Sequence, residues 1–189
     1  MSREAINLDA LRIEIDRYDW CGLRSFMGDA SMIPSAIEAL AGAATPDAAQ
    51  AAYWRIDNVA IIQGRLSQCV APLTSCLLVA LTLASDPARS RIFDLLATIS
   101  GGYDDHVESS AVGPISVREC VGQMARHKRV FVDELTLRGN ASCVDILLMC
   151  AIYDEALRED VIEAFRNALS SPESARIRDL IESSIAEIS

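Results

Sequence analysis

The sequence predicts an all-α fold, built as a right-handed stack of antiparallel helix pairs in one domain spanning residues 1–189. Three observations predict it. Apolar residues recur at spacings of three and four from one end to the other, and sustained alternation is nearly absent. Only nine Gly and six Pro punctuate 189 residues, while the helix formers Ala, Leu, Glu and Arg are abundant. The breaks between periodic segments mostly run about two to six residues, a length that joins helices as antiparallel neighbours. An irregular helical bundle is the alternative architecture.

Leu8, Leu11, Ile15 and Tyr18 make the first amphipathic stripe. Ser31 or Asp29 is placed to cap a second helix, SMIPSAIEALAGAA, in which Pro34 falls in the first turn. TPDAAQAAYWRIDN opens a third, with Thr45 as cap, Pro46 at the first helical position and Asp47 at the favourable end of the dipole. Residues 66–85 carry no charge. Pro72, Gln68 and several Ser and Thr interrupt them, so a fully buried central helix fits better than a bilayer span of about 20 apolar residues.

In SDPARSRIFDLLATISGG, Ser85 or Asp86 caps, Ile92, Leu95, Leu96 and Ile99 face inward, and Gly101-Gly102 stops the helix. YDDHVESSAVGP, 103–114, is the one long loop. A long helix or a broken helix pair runs from Ile115 to about Leu137 and ends at RGN; ASCVDILLMCAIY, 141–153, is another strongly apolar helix. REDVIEAFRNALSS and SPESARIRDLIESSIAEIS supply the last two. No segment reads as a strand. Cys76, Leu77, Val79, Leu95, Cys143, Leu147 and Ile162 are expected in the core.

AAYWRIDNVAIIQGRL, 51–66, is ambiguous locally because its alanine-rich run passes into Val59, Ala60, Ile61 and Ile62. Ala49, Ala52, Tyr53, Ile56, Val59, Ala60 and Gln63 lie on one 3.6-residue face, and a lone strand among helices would lack a partner, so the stretch reads as helix. Arg55, Asp57, Asn58 and Gln63 then lie in or beside a largely apolar helix. They must bond neighbouring turns, as an internal ladder between repeats, or a ligand. Trp54 and Arg55 are the candidate anchors of a partner-facing patch, because Trp and Arg dominate interface hot spots.

The net charge is −10, and acids outnumber bases in each of the segments 1–65, 66–113 and 114–189. Phosphate-backbone binding needs a basic stripe, so nucleic acid is excluded as a partner. A basic protein is the partner such a surface would steer. None of the six cysteines forms a C-x-x-C pair, and His106 and His127 lie far from paired thiols, so no zinc site is expected. The thiols read as small buried hydrophobes in a reducing compartment. The charged N-terminus is not a signal peptide, which points to a cytoplasmic protein.

A very apolar helix followed by a short turn and a more polar helix recurs weakly: Pro34 overlays Pro72, 38 residues on, and Cys76 overlays Cys143. A period near 40 built from helix pairs is the signature of HEAT or armadillo solenoids. AYWRIDNVAIIQGRL, followed by APLTSCLLVAL and DPARSRIFDLLATI, resembles a group of bacterial HEAT-repeat-like proteins over roughly residues 30–100. Those proteins share an aromatic pair, an Asp-Asn, a valine-rich run and Gln-Gly ahead of an apolar helix. The resemblance implies an irregular HEAT-like solenoid. It also implies an immunity protein, the neutralising partner of a polymorphic bacterial toxin.

Asp104, Asp105, His106 and Glu108 crowd the long loop, but adjacent Asp-Asp-His side chains diverge, so a partner-binding loop fits better than a metal or acid/base site. ARHKRV, 125–130, reads as a solvated helix face, and no phosphate loop, nucleophile elbow or H-E-x-x-H occurs. The expectation is therefore no metal, no cofactor and no turnover. Asp104, Asp105, Glu108, Trp54 and Arg55 would form the protein-binding surface. A small-molecule or lyase-type enzyme with a pocket at Arg55, Asp57, Asn58 and Gln63 is the alternative, and a self-associating scaffold is a third reading.

Overall fold

The computed structural model describes residues 3–104 and 113–189, with side chains in the first helix from Asp9 onward. Among these residues the chain is mostly helical: ten α-helices, two 3-10 turns and two minimal β-hairpins. It divides into two compact units, Met1–Cys120 and Val121–Ser189.

In the first unit α1 spans Arg3–Ile15 and packs on α4, Val70–Ala80. Leu11 and Ile15 are buried, as their spacing predicts, while Leu8 lies outside the described side chains. The helix ends where Trp20 folds back, its indole Nε1 donating to Ile15 O at 2.8 Å. A buried carboxylate ties the two helices together: Glu14 of α1 accepts from Ser75 Oγ of α4, Tyr18 Oη and Arg17.

Helix α2 spans Ile33–Ala41 and α3 spans Pro46–Ala60. Pro34 occupies the first turn of α2, as expected. Asp29 and Ser31 do not cap it directly: the Asp29 carboxylate accepts from Ser31 N and Oγ, turning the chain just ahead of the helix. At α3 the predicted cap is present, Thr45 Oγ1 accepting from Ala48 N at 3.3 Å with Pro46 and Asp47 following.

Helix α5 spans Asp86–Ser100. α2 packs on α3 and α4 on α5, while α3 also packs on α5 and α2 on α4. The corners of the two pairs are tied as well. Ser85, expected to cap α5, instead donates from Oγ to Ala43 O at 2.6 Å. α4, uncharged throughout, is buried or half-buried at every position, which its all-round apolar sequence requires. Ile92, Leu95, Leu96 and Ile99 of α5 are fully buried.

Two corrections concern strands. The expected helix through 66 stops at Ala60, and Ile61–Ile62 (β3) pairs antiparallel with Arg65–Leu66 (β4). The partner strand lies three residues further on, across a two-residue turn. Gln63 (φ +53°) and Gly64 (φ +78°) both take the left-handed region, the signature of a type I′ hairpin turn. An earlier hairpin pairs Arg24–Ser25 (β1) with Gly28–Asp29 (β2) and docks on α3, with Phe26 N donating to Val59 O at 3.0 Å.

Helix α6 spans Val117–Arg126 and α7 spans Lys128–Arg138, so the region from Ile115 to Leu137 is the broken pair, interrupted at His127. Gly139 then takes φ +60° and closes α7 through its N–H to Leu135 O at 2.9 Å. In the second unit α8, Ala141–Tyr153, is capped by Asn140 and packs against α7, α9 (Arg158–Leu169) and α10 (Arg178–Ile188). Lys128 of α7 pairs with Asp160 in the first turn of α9.

Cys76, Leu77, Leu95, Cys143 and Leu147 are buried as expected, but Val79 and Ile162 are only half-buried. All six cysteines are free; five are buried, and Cys21 is exposed. No described helix is long and apolar enough to cross a membrane.

Candidate functional site

The outward face of α3 gathers most of the residues that the sequence singles out. Its buried face, Ala49, Ala52, Ile56, Val59 and Ala60, locks the helix onto its neighbours. The helical period therefore turns Asp47, Ala51, Trp54, Arg55 and Asn58 outward, and all five are exposed. Trp54 stands out among them, a large apolar ring left 50% exposed. It meets its neighbour Tyr53 edge to face, centroids 5.0 Å apart.

The polar residues here are bonded within the fold. Arg55 Nη2 donates to Ser35 Oγ at 2.8 Å, joining α3 to α2, and Asn58 Nδ2 donates to Trp54 O at 3.0 Å. Gln63 sits in the hairpin turn rather than on the helix, and its carbonyl accepts from Tyr103 Oη at 2.8 Å. Tyr103 also exchanges backbone hydrogen bonds with the hairpin, through Gly64 O and Leu66 N.

Between α3 and α5 lies a cluster that the sequence reading did not identify. Arg91 sits with its guanidinium 5.9 Å from the Tyr53 ring centroid and 2.8 Å from the Asp94 carboxylate. Burial raises the Tyr53 phenol above its usual range, and the nearby carboxylates of Asp57 and Asp94 add to this. Burial also raises the Asp57 carboxyl, which the Tyr53 hydroxyl, its hydrogen-bonding neighbour, partly offsets. No local motif marks this cluster, because Arg91 and Tyr53 meet only through helix packing.

Of the loop acids, Asp104 is exposed, and its Oδ2 accepts from Val117 N at 2.9 Å, capping the start of α6. Asp105, His106 and Glu108 lie outside the described residues. Among the described residues no group of three or more His, Cys, Asp or Glu is arranged to hold a metal ion.

The buried thiols are poor nucleophiles. Burial pushes Cys69 up to about 11 and Cys76, Cys120 and Cys150 up to about 12. No family model matches the chain, and comparison with curated proteins and with solved structures yields no match either.

Proposed function

We propose that the protein is a non-catalytic binding module of HEAT-like architecture that captures and neutralises a basic protein, as the bacterial immunity proteins that its sequence resembles would. The observation that carries this reading is Trp54, held half exposed on a rigid helix with Arg55 and Asn58 beside it. Exposed aromatic anchors of this kind supply most of the binding energy at protein interfaces. The net charge of −10 supports the same reading, since it would speed encounter with a basic partner.

The architecture fits. α2–α3 and α4–α5 behave as two successive helix pairs: α2 touches α4, α3 touches α5, and the Ser85–Ala43 hydrogen bond joins their corners. Stacked pairs of this type present an extended surface to a protein partner. A pocket enzyme would instead need a closed cavity beneath Arg55, Asp57, Asn58 and Gln63. Three of those four side chains are exposed, and Arg55 Nη2 and Asn58 Nδ2 each donate to a neighbour within the fold.

In this reading the partner is a basic toxin domain, the protein works in the cytoplasm, and neither metal nor cofactor takes part. Affinity purification of the tagged protein from cells that encode it tests this. A stoichiometric basic protein whose toxicity is relieved by the complex is the expected result. Recovery of no partner, together with no toxin-like protein encoded beside the gene, would remove the reading.

A further inference from the structure

Asp57 lies three residues beyond Trp54 on α3, a spacing that sets the two residues at adjoining positions on the helix. The Tyr53 hydroxyl lies near this half-buried carboxylate and offsets part of the cost of its burial. Asn58, one turn from Trp54, spends its Nδ2 on the Trp54 carbonyl and keeps its Oδ1 as an acceptor. Where α3 meets α5, an aromatic ring and a carboxylate already share one guanidinium. Arg91 of α5 holds its guanidinium 5.9 Å from the Tyr53 ring centroid and 2.8 Å from the carboxylate of Asp94 on its own helix. Trp54 and Asp57 offer the same two chemical groups from α3 alone, with the indole open to solvent.

We propose that Trp54 and Asp57 form a docking site for an arginine side chain presented by a basic protein partner, with Asn58 Oδ1 as an accessory acceptor. This rests on the binding reading above and names the chemistry of the contact. Arginine fits better than lysine because its planar guanidinium stacks on an indole face while forking two N–H groups onto a carboxylate. A lysine ammonium is a point charge that holds its water more strongly and gains less from the ring. The charge sign agrees, because an acidic surface draws in the cation that the site then positions.

The two tryptophans make the test direct. Trp20 is buried and bonded to Ile15 O, so its indole N–H resonance is an internal control for that of Trp54. Titrating the full chain with a nona-arginine peptide should shift the Trp54 indole resonance saturably and leave Trp20 in place. Nona-lysine should bind more weakly, and Asp57→Asn and Trp54→Ala should each weaken nona-arginine binding about 3- to 10-fold with helicity unchanged. An unmoved Trp54 resonance, equal binding of both peptides, or no effect of Asp57→Asn would overturn the site.

The two readings fail separately. A co-purified partner that binds Asp57→Asn as tightly as the unaltered protein would overturn the arginine site and leave the binding reading standing. A specific arginine response with no partner recovered would support the site and count against neutralisation.

Discussion

Replacing Glu14 with Ala should loosen α1 from the rest of the first unit. The carboxylate is 12% exposed and receives donors from Ser75 of α4, Tyr18 and Arg17. The Arg17 guanidinium is two-thirds exposed, so that pair adds little. The Ser75 and Tyr18 hydroxyls are the substantial terms, because the alanine variant leaves two part-buried donors without their acceptor. Hydrogen bonds to a charged group contribute roughly 1.5–3 kcal/mol, but Tyr18 can turn to water, so a net loss of about 2 kcal/mol is expected.

Burial alone would raise the Glu14 carboxyl, but the three donors outweigh it and hold it below its ordinary value. A carboxyl whose folded pKa is depressed stabilises the fold above its unfolded pKa and loses that contribution as pH falls through the folded value. The comparison with Glu14→Gln, which removes charge but keeps shape, should therefore show a larger deficit at pH 7 than near pH 3. Both tryptophans lie in the first unit, so fluorescence-monitored urea unfolding reads this unit. An unchanged urea midpoint in Glu14→Ala, or a Glu14→Gln deficit independent of pH, would refute the reasoning.

Other predictions follow from single positions. Gly139→Ala should cost at least about 2 kcal/mol, combining left-handed strain with a backbone clash. The added Cβ would stand 2.2 Å from Glu173 O, and melting by circular dichroism would register the loss. Gln63→Asn should stabilise by about 0.5–1 kcal/mol, since asparagine tolerates the left-handed region better; chemical denaturation reads this. With Ellman's reagent near pH 8, Cys21 should react promptly, and the five buried thiols only as the protein opens.

The helix starts were largely legible from local signals, chiefly a proline in the first turn of α2, α3 and α5. Asp29, Ser31 and Ser85 nonetheless do not make the cap bonds expected of them. Thr45-Pro46-Asp47 announces α3, and Asn140 and Gly139 mark the boundary between α7 and α8. The end of α3 was not legible as read. Val59-Ala60-Ile61-Ile62 carries helical period and β propensity at once, and the deciding signal is Gln63-Gly64, a two-residue turn that hands Ile62 to Arg65. Arg24–Asp29 was missed for a related reason, since a four-residue ladder is too short for alternation to show. Asp104 is exposed as expected, but its capping of Val117 was not legible because the N–H it accepts from lies 13 residues away. At the candidate site Trp54 was visible from composition and spacing, but the approach of Arg91 to Tyr53 depends on α3 meeting α5. That contact is a property of packing, and no sequence window contains it.

In the proposed function an acidic surface delivers a basic protein to the Trp54 face of α3. Association and dissociation rates for the co-purified partner, measured by surface plasmon resonance across salt from about 0.05 to 0.5 M, test it most directly. The association rate should fall steeply with salt for both the unaltered protein and Trp54→Ala. The dissociation rate should be raised on the order of ten-fold or more in Trp54→Ala alone. An association rate indifferent to salt, with Trp54→Ala dissociating no faster than the unaltered protein, would contradict it.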